Sequence, residues 1–87
     1  MSRIPEGVSI ELRGRADRLL YSQDGRSLTI DCEPLLGGSV RLLIYARSIQ
    51  KWDDGTPIDA FEKHEILQNV KDYLAPQWGE DIEIQDN

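Results

Sequence analysis

Val8, Ile10 and Leu12 alternate with Ser9, Glu11 and Arg13, the period-two pattern of a strand buried on one face. Gly14 to Asp17 turns the chain, and Arg18 to Ser22 forms a second strand. Gln23-Asp24-Gly25-Arg26 then supplies the Asp-Gly dipeptide favoured in two-residue hairpin loops. The return strand places Leu28, Ile30 and Cys32 on one side and Thr29 and Asp31 on the other, so Cys32 reads as a small core residue. Pro34-Leu35-Leu36-Gly37-Gly38 reads as a loop that turns between strands, with Leu35 and Leu36 covering a sheet end. Val40, Leu42, Ile44 and Ala46 share one face of the most hydrophobic segment, with Arg41, Leu43 and Tyr45 on the other. Apolar groups on both faces mark a central strand. Ser48 to Trp52 continues as a short edge element.

The period then changes. Trp52 is followed by Asp53, Asp54 and Gly55, a turn signal. After Thr56 and Pro57, Asp59 stands at a helix N-cap position with Glu62 at the reciprocal capping-box position. The spacing predicts one helix over residues 59–75, ended by Pro76. Ile66, Leu67, Val70, Tyr73 and Leu74 fall on its apolar stripe. Phe61 lies nearly opposite that stripe; folding onto Trp52 at the shared sheet-to-helix corner is preferred to exposure for a partner. Ile82 and Ile84, alternating with Asp81 and Glu83, predict a short closing strand. These elements predict an α+β fold: a curved antiparallel sheet of about four to five strands, one amphipathic C-terminal helix on one face and the closing strand.

Eighty-seven residues, 39% hydrophobic and 30% charged, suit a single soluble domain spanning residues 1–87. No apolar run approaches the roughly 18 residues that span a bilayer. Met1 to Glu6 lacks an apolar signal core, and the lone cysteine excludes an internal disulfide. The expected compartment is the cytoplasm. Charge is divided unevenly: residues 1–47 carry seven Arg against six acids, whereas residues 48–87 carry three Lys against ten acids. Such a chain is repelled by phosphate backbones and suits a cationic protein partner, although an acidic surface also serves solubility alone.

Candidate chemistry is sparse. His64 flanks the apolar stripe near Lys71 and lacks the nucleophile and orienting group that a catalytic base needs. One Cys and one His do not build a closed zinc site. Asp53, Asp54 and Asp59 lack the ligand spacing of an EF-hand and are explained by turn formation and capping. Gly37-Gly38 matches no phosphate-binding pattern. Neither cofactor nor metal is expected, and no enzymatic activity. A nucleic-acid-binding sheet would need Arg13, Arg15, Arg18 and Arg41 on the solvent face with Tyr21 and Tyr45; Glu11, Asp31 and Glu83 would consume those charges as cross-strand pairs.

Ser48-Ile49-Gln50-Lys51-Trp52, the acidic turn, Pro57-Ile58 and the capped helix resemble a family of small bacterial immunity proteins of polymorphic toxin systems. The Asp24-to-Leu28 hairpin and the Gly37-Gly38 turn are also similar, whereas the N-terminal strand carries no matching motif. The resemblance implies a small α+β protein that neutralises a toxin by binding it, without catalysis of its own. The candidate binding residues are Trp52, Asp53, Asp54, Phe61, Glu62, Glu65 and Asp72, and the expected partner is a basic protein. The alternative is a homodimer that buries Leu43 and Tyr45 through the sheet face or an edge.

Overall fold

The computed structural model describes residues 5–14, 17–35, 41–79 and 81–86. Arg15, Leu36, Gly37, Gly38 and Val40 lie outside the described residues. Five strands, β1 (Val8–Arg13), β2 (Arg18–Gln23), β3 (Arg26–Leu35), β4 (Arg41–Tyr45) and β5 (Ile82–Gln85), form one open sheet in the order of the chain. One helix, α1 (Ala60–Trp78), lies between β4 and β5 in sequence. The fold is therefore α+β, with the expected single helix and closing strand.

The β2–β3 hairpin follows directly from its turn residues. Asp24 and Gly25 adopt φ of 52° and 84°, the double left-handed conformation of a two-residue turn whose twist matches that of its strands. Gln23 then faces Arg26, and the register runs on to Arg18↔Asp31. β3 is long enough to serve two neighbours: residues 26–31 pair with β2, and Cys32 to Leu35 pair with β4. Pro34 and Leu35 thus belong to this strand and not to the expected loop. The edge of β3 left bare by β4 is met by the following segment. Ser48 Oγ accepts from the Asp31 N–H at 3.1 Å, and the Asp53 N–H donates to Ser27 C=O at 2.8 Å. Instead of continuing as a strand, residues 46–58 begin with a 3-10 turn, Ala46–Ser48, and close through an isolated Lys51–Pro57 bridge.

The sheet is mixed where an antiparallel one was expected. β5 runs parallel to β4, from Leu42↔Ile82 to Tyr45↔Gln85. A crossover helix returns the chain in its original direction, and alternation of side chains carries no information on strand direction.

One face of the sheet and one stripe of the helix make the core. Ile10, Leu19, Tyr21, Leu28, Ile30, Cys32, Leu42 and Ile44 meet Ile66, Val70 and Leu74, with Ile49 and Trp52 completing the cluster. Tyr73 remains 40% exposed, and Asn69, only 6% exposed, takes a buried place on the helix. The capping box forms as expected: Asp59 accepts from the Glu62 N–H at 2.7 Å, and the Glu62 carboxylate accepts from the Asp59 N–H. The helix does not end before Pro76. It continues to Trp78 and closes where the Gly79 N–H reaches Ala75 C=O at 2.8 Å. In the last turn a proline forfeits only one intrahelical bond, and Trp78 packs against the core beyond it.

Candidate functional site

The sheet-to-helix corner carries most of the candidate residues, and its centre is Arg26. As the first residue after the hairpin turn, Arg26 shares the core-side face of β3 with Leu28 and Ile30. Its guanidinium lies 4.5 Å above the Trp52 ring, and its Nη2 is 3.3 Å from Glu62 Oε2. Cation–π attraction and a half-exposed ion pair thus act on one side chain. Trp52 is held in place by its own turn, since its N–H donates to Thr56 C=O at 2.9 Å while its C=O accepts from Gly55.

Trp52 is only 1% exposed, with its ring centroid 6.2 Å from that of Tyr21. Its indole is buried, and it meets the surface only through Arg26 and the adjoining acidic turn. The expected packing of Phe61 onto Trp52 is absent, because Tyr21 and Arg26 occupy that place. Phe61 is instead 78% exposed.

Asp53 and Asp54 follow Trp52 on the exposed turn. The Thr56 backbone N–H, then its side chain, and more weakly Arg26, hold the Asp54 carboxyl below the usual carboxylate range. Glu62 is tied to Arg26, and one turn further along α1 the Glu65 carboxylate accepts from Gln23 Nε2 at 3.0 Å. The fold therefore brings Asp53, Asp54, Glu62 and Glu65 to the β2–β3 hairpin end, with Phe61 in the first turn of the same helix. Asp72 stands apart. It accepts from Gln68 at 3.2 Å, about 10 Å along the helix from Glu65 at the usual rise per residue.

A buried polar chain beneath this corner was not anticipated. Asn69 Nδ2 donates to Tyr21 Oη at 2.9 Å, and Tyr21 Oη donates to Gln23 Oε1 at 2.9 Å. Burial, the largest influence, raises the Tyr21 pKa above its ordinary value. The sequence signal was available: Asn69 is a polar residue between Ile66 and Val70 on the apolar stripe. Tyr21 pairs with Ile10 and Leu28 and so faces the core, not the solvent face with the arginines. Of those arginines, Arg13 lies 3.2 Å from Glu11, Arg18 3.8 Å from Asp17 and Arg41 4.0 Å from Glu83. Tyr45 does lie on the outer face, where it donates to Glu33 Oε2 at 2.7 Å.

Cys32 is 4% exposed, and burial pushes its thiol up to about 11. A thiol with so high a pKa stays protonated at neutral pH, and the thiolate is the reactive form. A disulfide reagent at pH 8 is therefore expected to label native Cys32 at least about 100-fold more slowly than the unfolded chain. Comparable rates in the two states would contradict this burial. Because folding raises this pKa from 9.0 to about 11, the folded state holds the proton more tightly. The associated stability is complete below pH 9 and is lost as pH climbs through about 11; the raised Tyr21 pKa acts in the same direction.

His64 lies on the exposed side of α1, and among the described residues no three Cys, His, Asp or Glu side chains converge on a metal position. No helix among the described residues is long and apolar enough to cross a membrane. Comparison of the chain with protein-family models, curated proteins and solved structures finds no match.

Proposed function

We propose that this chain is a non-enzymatic protein-interaction module that binds a basic protein, in the manner of an immunity protein neutralising a cationic toxin. The observation that carries the proposal is the setting of Phe61. An aromatic ring left 78% exposed stands in the same helical turn as Glu62 and one turn before Glu65, on the helix whose first turns meet the β2–β3 hairpin end. Large apolar side chains supply affinity at interfaces, whereas surrounding charge chiefly steers the encounter. A ring with an acidic rim suits a basic surface that contains an apolar recess. The resemblance of residues 45–74 to immunity proteins points the same way.

Changing Asp53→Lys together with Asp54→Asn tests this reading. The asparagine keeps an oxygen for the Thr56 N–H, so the turn is retained. With the basic protein captured from source-cell lysate at low salt, the pair of changes is expected to slow association about tenfold and alter dissociation little. An unchanged association rate removes the acidic turn from the interface. If no basic protein is captured in stoichiometric amount at low salt, the proposal itself fails.

A second reading, self-association, draws on Leu43 and Tyr45, both half-buried on the outer sheet face. Under it the sedimentation coefficient rises with protein concentration, whereas the binding module stays monomeric. Nucleic-acid binding is disfavoured by the carboxylates beside Arg13, Arg18 and Arg41.

A further inference from the structure

The outer edge of β5 has a capacity that the corner does not use. β5 is the last strand of the sheet, and its register with β4 is fixed by the bond from the Leu42 N–H to Asp81 C=O at 2.8 Å. In a parallel ladder of this phase, Glu83 directs both its backbone groups toward β4, whereas Ile82 and Ile84 direct theirs outward. Among the described residues, no strand pairs with those outward groups. Beside them lies a hollow of about 310 Å³, lined by Leu43, Glu83, Ile84, Gln85 and Asp86. Leu43 and two acidic residues along one hollow match a lysine or arginine side chain, whose stem is apolar and whose head is cationic.

We propose that β5 accepts an extended segment of a basic protein as an added strand. The segment's main chain pairs with Ile82 and Ile84, and a lysine or arginine enters the hollow toward Glu83 and Asp86. This rests on the reading of the chain as a binder of a basic protein and specifies a mode of binding for it. Strand addition draws affinity from main-chain hydrogen bonds and selectivity from pockets for alternate side chains, and the β5 edge offers both. Arg41 lies 4.0 Å from Glu83 and Lys63 2.8 Å from Asp86. The two carboxylate side chains are 53% and 64% exposed, and ion pairs at such exposure are weak enough for an incoming cation to compete. A second copy of this chain suits the edge poorly. Pairing β5 antiparallel with β5, Ile82 against Ile84, would set Glu83 directly opposite Glu83 of the other copy, and like charges directly opposite are destabilising.

The test is an amide-resolved NMR titration of the full chain at low salt with a capped peptide that alternates lysine and valine. The expected result is shifted resonances at Ile82 and Ile84 with slowed hydrogen exchange of their amides, which charge attraction alone does not produce. Glu83→Lys, an exposed substitution, should weaken peptide binding about tenfold while leaving the other resonances in place. Shifts confined to Asp53, Asp54 and Glu65 would overturn the β5 site yet leave the basic-protein reading standing. Absence of any shift overturns the β5 site, and the lysate capture then decides the parent reading separately. Shifts at β5 that grow with protein concentration in the absence of peptide would assign the edge to a second copy and overturn the proposal.

Discussion

Replacing Trp52 with alanine is expected to destabilise the fold by roughly 3–5 kcal/mol, the range for truncating a large buried aromatic. A domain of this size has on the order of 4–13 kcal/mol in total, so the loss is a large fraction of the whole, and at the lower end of that range the variant is largely unfolded. The loss has several sources. The indole fills the core beside Tyr21, supports the Arg26 guanidinium, and sits in the turn whose next residue, Asp53, closes the bare edge of β3. Trp52→Phe separates these contributions. Phenylalanine keeps an aromatic ring against Tyr21 and removes an indole N–H that is buried without an acceptor among the described residues. Relieving that unsatisfied donor offsets part of the lost volume, so Trp52→Phe should cost less than about 2 kcal/mol. Urea titrations of both variants, monitored by circular dichroism, measure the difference. If Trp52→Ala lost less than about 1 kcal/mol, the indole would not be a core element, and a role for it at the surface would return.

The same comparison separates stability from binding at the corner. Trp52 and Phe61 sit nine residues apart in one motif, yet only Phe61 is open to a partner. A binding defect in Trp52→Ala would therefore report unfolding, whereas one in Phe61→Ala would report the proposed interface. The aromatic identity of the two residues did not distinguish them in the sequence; their neighbours did, once Arg26 and Tyr21 were seen to fill the space around the indole.

Other parts of the fold were legible for definite reasons. The β2–β3 hairpin followed from Asp24-Gly25, because few dipeptides tolerate two left-handed conformations in succession. The N-terminus of α1 followed from the Asp59–Glu62 capping box, a local signal with its own hydrogen bonds. Illegible features depended on phase or on distant contacts. In β2, Leu19 and Tyr21 alternate with Leu20, so apolar residues lie on both faces and the pattern does not say which face is inside. Pairing with Ile10 and Leu28 settles the phase. Pro76 signalled a helix end that the packing of Trp78 overrides. At the candidate site, the acidic residues were visible as charge, but Arg26, which organises them, was one arginine among several. Its importance rests on Trp52, twenty-six residues away, and Glu62, thirty-six residues away.

The hydrogen-bonded chain from Asn69 through Tyr21 to Gln23 leads to the second large effect. Asn69→Leu is expected to cost about 1–3 kcal/mol, although leucine is close to asparagine in size and the site is apolar around it. The cost arises because Tyr21 Oη loses its donor while remaining buried. Tyr21→Phe alone should cost a similar amount, since it strands the Asn69 amide. Removing both groups leaves neither unsatisfied. The double variant should therefore be more stable than the sum of the single changes predicts, by about 1 kcal/mol or more in a double-mutant cycle. A purely additive cycle would mean that the pair contributes no mutual stabilisation and that packing alone aligns the helix. A positive coupling also bears on function. Asn69 and Tyr21 join α1 to β2 directly below Gln23 and Glu65, so loosening them should displace Glu65 relative to Asp53 and weaken partner binding beyond the loss in stability. Tyr21→Phe with Asn69→Leu then separates the two roles: with stability largely restored, a remaining binding defect measures how far this chain positions the acidic corner.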